Sequence, residues 1–393
     1  MLIQQYKRIA IKIGSNVLAG NQGHLDLERI KHLVEQINTL MKMGIEVILI
    51  SSGAVAAGRS LLATDVKMDT VSARQLWSAI GQVKLMNTYS TLFKTHGVIC
   101  AQVLTTKENF SDRRHYLNMK NCITTMLENK VLPIVNENDT ISVTELMFTD
   151  NDELSGLISS MMSCEALFIL TNVDGIYNGT PEDENTHVIR EIVASDNSHE
   201  SYISSQKSGF GRGGMHTKYS VARKIALEGT NVYIANGKRN SILTDLIRGN
   251  EVLSTHFLPN GKKLKGNKKW LAHSESFAKG VVVINDGAKK ALFDINANSL
   301  LLIGASRIDG FFKQGDIISI QDEEGNQLGL GKSQYDSEEA KTLTGKKASK
   351  PLIYYDYMFL FEASPLPDRQ AGNPSQGGEL TGGFLELKTS LEK

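Results

Sequence analysis

Cysteine is scarce in this chain of 393 residues. Its three cysteines, Cys100, Cys122 and Cys164, lie far apart, each in an apolar or helical context. No two have the spacing of a metal site or a redox pair. An odd count also argues against a disulfide framework and fits a reducing compartment, so small buried thiols are expected. An excess of charge of either sign is missing as well. Lys and Arg number 43, Asp and Glu number 43, and the formal net charge is zero. Bulk charge therefore gives no pull toward nucleic acid or a membrane surface. No apolar run approaches the length of a membrane span. Lys7, Arg8 and Lys12 break up the apolar residues near the start, so no signal peptide is expected. These absences point to a soluble cytoplasmic protein, long enough for two or three domains with real cores.

The most informative stretch is Ile9-Ala10-Ile11-Lys12-Ile13-Gly14-Ser15. Its apolar run reads as a buried strand ending in a tight loop. Lys12 is costly inside such a strand unless it meets a partner. Held beside free backbone N–H groups, it can meet a phosphate; otherwise it is an edge-strand lysine facing water. Strand and helix patterns then alternate to about residue 250. Helices are expected over 27–41, 70–95, 111–129 and 215–229, and strands over 45–50, 98–104, 131–135, 165–170 and 231–235. This alternation implies an α/β fold with a mainly parallel sheet covered on both faces. Ligands gather outside the carboxyl ends of such strands. Gly14-Ser15, Ser52-Gly53, Asn136 to Asp139 and Thr171-Asn172 all fall there.

The character changes near residue 250. A basic polar stretch, Lys262 to Lys269, follows Pro259-Asn260-Gly261. Beyond it come short strand candidates over 281–284, 300–303, 316–320 and 353–361, with one helix near 336–343. The organisation expected is a first domain over 1–255, a linker over 256–275, a smaller mostly-β domain over 276–363 and a flexible tail over 364–393.

The most specific local signal is Ser208-Gly209-Phe210-Gly211-Arg212-Gly213-Gly214-Met215-His216-Thr217-Lys218. Its glycines let backbone approach a ligand closely, and the following helix turns its dipole and unpaired N–H groups toward the loop. Lys218 falls in the first turn of that helix. Arg212 and His216 are candidates for substrate contact or are solvated loop side chains. Asn136-Glu137-Asn138-Asp139 offers four polar side chains at a sheet rim. Asp150-Asn151-Asp152-Glu153 opens a helix, either as caps and dipole partners or as a carboxylate that orients both lysines. Thr171-Asn172-Val173-Asp174 reads as a strand end and turn, with an Asx bond or a nucleotide contact left open. Two decoys are rejected. Gly325 to Ser333 has one residue too many for a P-loop and lacks the βαβ setting. The glycosylation patterns at Asn138 and Asn178 mean nothing in a cytosolic protein.

Taken together, Lys12 with Gly14-Ser15, Ser52-Gly53-Ala54 with Ala56-Ala57-Gly58, Asn136 to Asp139, Asp150 to Asp152 and Gly213 to Lys218 resemble the glutamate 5-kinases of proline biosynthesis. The resemblance runs in order through most of residues 8–250 and continues more weakly through a C-terminal part similar to a PUA domain. It implies an amino acid kinase-like αβα sandwich, which has no Walker motif, plus a smaller mostly-β PUA-like domain. It also implies transfer of a phosphoryl group from ATP, with Mg²⁺ held largely by phosphate oxygens, to the side-chain carboxylate of L-glutamate. Lys12 and Lys218 match the phosphate-contacting lysines and Asp152 the carboxylate that organises them. Ser52, Gly53, Asp139 and Asn151 match the glutamate site. Lys12, Gly14, Thr171, Asn172, Arg212, Gly213, Gly214, Met215, His216, Thr217 and Lys218 match the ATP site; no residue is assigned to a metal. The sequence departs from the family where Asn172 replaces the usual Asp, and where Arg212 and His216 replace smaller polar residues. Feedback inhibition by proline and assembly into a dimer or tetramer are expectations of the same kind. The alternatives are another amino acid kinase, acting on acetylglutamate or carbamate, and RNA binding through the second domain.

Overall fold

The structure is a computed structural model that describes residues 6–20, 24–62, 69–142, 150–179, 185–196, 198, 214–259, 266–274, 277–294 and 298–361. The expected tail and the loop residues Arg212 and Gly213 lie outside the described residues.

The first part opens with β1 (Arg8–Ile13), α1 (Ser15–Leu18), α2 (Leu27–Lys42), β2 (Glu46–Ser51), α3 (Ala54–Leu61) and α4 (Thr70–Lys94). Next come β3 (Cys100–Thr105), α5 (Glu108–Ser111), α6 (Arg113–Glu128), β4 (Leu132–Glu137), α7 (Asn151–Met161) and β5 (Ala166–Thr171). It ends with β6 (Glu191–Val193), α8 (Met215–Leu227), β7 (Asn231–Asn236), α9 (Ile242–Arg248) and β8 (Ser254–Leu258). The eight strands form one sheet in the order β3-β4-β2-β1-β5-β7-β8-β6. It is parallel except where β8, with β6 beside it, runs antiparallel to β7. β1 is therefore central, flanked by β2 and β5, and Lys12 is not an edge-strand residue.

Strand alternation sends side chains to the two faces in turn. Ile9, Ile11 and Ile13 pack into a core with α2 and α4, whereas Ala10 joins the opposite core with α6, α7 and α8. Lys12 falls on the same face as Ala10, the face that α7 covers. Helices α3 and α4 meet at unusually close range. A Cβ on Gly58 would sit 1.8 Å from the Trp77 carbonyl oxygen, and one on Gly81 1.8 Å from that of Ala54. The small-residue segment after β2 is thus a packing surface as well as a loop end.

The segment expected as a linker carries α10 (Gly266–Ala272). Trp270 of α10 donates its indole N–H to the Phe110 carbonyl at 2.8 Å, and Lys268 lies 3.8 Å from the ring centre of Tyr355. The second part contains β9 (Gly280–Ile284), α11 (Asp286–Leu292), β10 (Ala305–Gly310), β11 (Ile317–Gln321), β12 (Gln327–Lys332), α12 (Ser337–Leu343) and β13 (Met358–Leu360). Its five-stranded sheet has the order β10-β9-β11-β12-β13 and its own core. The strand expected at 300–303 is instead a bridge at Leu300 and a 3₁₀ turn over Leu302–Gly304, with β10 following. The rejected P-loop stretch is β12, a ladder strand between β11 and β13. Cys164 is buried and Cys100 half-buried, but Cys122 is exposed on α6, contrary to the expectation of three buried thiols.

Candidate active site

At the carboxyl ends of β1, β2, β4 and β5, a cavity of about 430 Å³ opens. Lys12, Gly14, Ser52, Gly53, Asp139, Asn151, Asp152, Thr171 and Lys218 all line it. At its floor lies Asp152, in the first turn of α7 and fully buried. Its Oδ1 is 2.5 Å from the Lys12 Nζ and its Oδ2 2.9 Å from the Lys218 Nζ. Two lysines 206 positions apart in sequence, by the difference of their numbers, thus share one carboxylate. Lys12 is 5% exposed and Lys218 8%.

Local sequence explains each placement. Asp150 caps α7, its Oδ1 accepting from the N–H groups of Asp152 at 2.8 Å and Glu153 at 3.1 Å. The capping reading of this segment and the lysine-bridging one therefore both describe it, on residues two positions apart. Gly53 takes φ +103° at the entry to α3, a left-handed conformation that suits glycine. Lys218 stands in the first turn of α8, whose N-cap is Gly214 and whose first N–H groups have no intrahelical partner.

Charge is arranged unevenly. Burial alone would raise the Asp152 pKa, but the ammonium groups of Lys12 and then Lys218 outweigh it and hold the carboxyl well below the usual range. Asp150 goes the other way: burial first, then the negative charge of Asp152, push it up to about 7. Its Oδ2 is buried with no hydrogen-bond partner among the described residues.

On the other side of the cavity, Asn151 Nδ2 donates to Ser52 Oγ and to Asn136 Oδ1, both at 2.9 Å. Asp139 is gripped by Arg74, through Nε at 2.9 Å and Nη2 at 2.5 Å, and by Ser78 Oγ at 3.1 Å. Gln82 accepts from Asn136 at 2.9 Å. Sequence reasoning missed these three residues of α4. Their signal was present: Arg74, Ser78 and Gln82 recur every fourth position, one polar stripe on a long helix.

Not every expected residue reaches the cavity. Asn172 is exposed just beyond β5, and Thr171 Oγ1 donates to its Oδ1 at 3.3 Å. His216 is exposed, while Met215 packs against the core beneath α8. Thr217 is half-buried and outside the lining. Beyond Asn172, Asp174 holds Arg239 through paired contacts of 2.6 and 2.8 Å, tying the turn after β5 to the end of β7. Among the described residues no group of three or more His, Cys, Asp or Glu side chains could hold a metal ion.

Comparison with known proteins agrees with this architecture. The family model described as "Amino acid kinase family" matches residues 7–236, and that of the PUA domain matches residues 280–354. A glutamate 5-kinase of Bacteroides thetaiotaomicron is 55% identical over 358 residues, covering 91% of this chain and 99% of that protein. One from Chlorobaculum tepidum is 44% identical over 356 residues, 90% of this chain and 98% of the relative. A third, from Dehalococcoides mccartyi, is 38% identical over 344 residues, 86% and 91% respectively. With these matches spanning both of its sheets, the chain belongs to the amino acid kinase family and, within it, to the glutamate 5-kinases.

Proposed function

We propose that this protein transfers the γ-phosphoryl group of ATP to the side-chain carboxylate of L-glutamate, giving L-glutamyl 5-phosphate and ADP, the first step of proline biosynthesis. The observation that carries the reading is the buried carboxylate of Asp152 bridging Lys12 and Lys218 at the mouth of the sheet. In this reaction a glutamate carboxylate oxygen forms the new P–O bond as the bond to the β-phosphate oxygen breaks. The nucleophile belongs to the substrate, so the protein needs no nucleophilic side chain. What it must supply is alignment, and positive charge where negative charge builds up.

The donor set suits that task. Two ammonium groups held by one carboxylate, with the N-terminus of the 13-residue α8 beside them, form a cationic cradle for phosphates. Gly14 keeps it open: a Cβ there would lie 3.6 Å from the Lys12 Nζ and 3.2 Å from the Leu170 carbonyl oxygen. Mg²⁺ enters with ATP as part of the substrate, held largely by phosphate oxygens. Lys12 and Lys218 stabilise the migrating group, and Asp152 fixes their separation. Ser52, Gly53 and Asn151 seat the glutamate, and Asp139 supplies negative charge for its α-ammonium group. Thr171, Asn172 and the 212–218 segment take the nucleotide.

The test is ATP consumption with glutamate against N-acetylglutamate, with and without proline. Glutamate-dependent turnover, suppressed by proline and absent with N-acetylglutamate, supports the reading; turnover on N-acetylglutamate alone overturns it. Inhibition by proline, assembly into a dimer or tetramer, and a cytoplasmic location belong to the same proposal. The membrane question has one structural fact behind it: no helix among the described residues is long and apolar enough to span a bilayer.

A further inference from the structure

The helices that carry Asp152 and Lys218 lie side by side. Gly156 of α7 faces Val221 and Ile225 of α8, so closely that an added Cβ would meet Val221 at 2.9 Å. At their far ends the two helices share a second buried carboxylate. Glu228, the C-cap of α8, accepts a hydrogen bond from Ser160 Oγ, in the last turn of α7, at 2.5 Å through Oε2. Its Oε1 is 2.5 Å from Nε2 of His273, just past the end of α10. Glu228 is 3% exposed and Ser160 2%.

A carboxylate is doubly out of place there. It has lost its hydration, and it faces the partially negative end of a helix. Burial pushes its pKa up, yet His273, Ser160 and Lys269 together bring it below the ordinary glutamate value. His273 and Lys269 both come from the α10 segment. That segment is anchored to the kinase part through Trp270 and Phe110, touches Tyr355 of the second part through Lys268, and leads into β9.

We infer that His273 is a positioning residue for phosphoryl transfer: through Glu228 and Ser160 it fixes how far α7 and α8 slide along each other, and so where Lys218 sits relative to Asp152. The inference rests on the kinase reading above. Ser160 lies eight residues beyond Asp152, about 12 Å along the helix, so a small sliding motion at one end reaches the other undiminished. A misplacement of about 1 Å at a reacting centre can cost about a hundredfold in rate. The helix leading into the second domain thereby becomes part of the catalytic alignment.

The test uses the full chain with His273→Gln and Glu228→Gln, singly and together, assayed with ATP and glutamate below the melting temperature of each variant. Each single variant is expected to lose about tenfold in kcat, with the KM for glutamate changed by less than about twofold, because Ser52 and Asp139 stand on other elements. In the double variant two neutral amides can share a hydrogen bond, and kcat is expected to recover at least about threefold. A contact that served stability alone would lower the melting temperature and leave kcat in place. Folded single variants with kcat within about twofold of wild type overturn the inference. Should either single variant fail to fold, Ser160→Ala removes one hydroxyl and gives the same readout: a lowered kcat supports the inference and an unchanged one overturns it. An inactive wild-type protein would sink the kinase reading itself; an active wild type with unaffected variants sinks only the role of His273.

Discussion

Replacing Asp152 with asparagine keeps the shape of the side chain and removes the one charge that Lys12 and Lys218 share. The amide offers an oxygen to one ammonium group and an NH₂ to the other, so at least one contact becomes donor against donor. Both lysines are nearly buried, and water cannot readily replace the lost carboxylate. Two ammonium groups about 5 Å apart, at an effective dielectric of about 20, repel by about 3 kcal/mol. Breaking a buried pair by removing one partner costs about 3–5 kcal/mol by experience, which agrees. For a unit of about 250 residues a loss of about 3 kcal/mol corresponds to a fall in Tm of about 6–12 °C. Bound ATP brings its own negative charge to the same place, so the deficit should narrow when MgATP is added. Turnover should not recover with it, because the lysines then follow the nucleotide instead of a fixed point; a loss of about 10²–10³-fold in kcat is expected. The assay is a pair of melting curves, with and without MgATP, alongside kcat for glutamate phosphorylation. A folded Asp152→Asn protein with near-normal kcat, or one whose Tm deficit is the same with and without nucleotide, would refute this account of the site.

Three further outcomes follow from the same geometry. Arg74→Ala leaves Asp139 without its guanidinium partner and should raise the KM for glutamate about tenfold or more while leaving the KM for ATP nearly unchanged, as read from steady-state kinetics. Asp150→Asn preserves the cap of α7 but cannot ionise. The folded-state pKa of Asp150 is raised, so its stabilising contribution is full below about pH 4 and lost as pH rises to about 7; melting curves from pH 4.5 to 8 should fall less steeply for the variant than for wild type. Gly81→Ala drives a methyl group into the Ala54 carbonyl and should cost several kcal/mol, seen in melting curves as a Tm drop of about 5 °C or more.

Much of the kinase sheet was legible because its strands are dense apolar runs bounded by glycine or polar turns. Ile9 to Ile13, Ile45 to Ile50 and Ala166 to Leu170 fall where the pattern puts them, within a residue or so. The second sheet was harder for a physical reason. β10 reads Ala-Ser-Arg-Ile-Asp-Gly and alternates only loosely between core and water, so it carries no apolar run to notice. β12 contains Gly329 and Gly331, which look like turn residues. A Cβ on Gly331 would come within 2.5 Å of the Ile353 side chain, so tight packing, not a bend, explains the glycine. Conversely, Leu300 to Ile303 has the composition of a strand, and its alternation of buried and exposed residues suits one, but the chain turns into 3₁₀ geometry over Leu302–Gly304 with Leu302 in the core.

The same distinction separates the site residues that sequence reveals from those it hides. Lys12 is an anomaly in its own surroundings, a charge within an isoleucine strand. Lys218 and Asp152 stand in first turns of helices, where backbone N–H groups already favour anions and where short polar motifs announce the start. Each could be suspected alone, and only the fold joins them. Arg74 and His273 stand out less: Arg74 shows only as one member of a polar stripe with Ser78 and Gln82, and His273 not at all. One sits partway along a helix and the other just after one, both in places where a polar residue is ordinarily solvated. Their meaning comes wholly from partners 65 and 45 positions away, Asp139 and Glu228. A carboxylate buried against the negative end of a helix is the one local oddity in either pair, and it is visible only once α8 is known to stop before Glu228. Residues at strand ends and helix starts are thus legible because the backbone pattern marks those places, whereas residues whose partners are distant side chains show their part only in three dimensions.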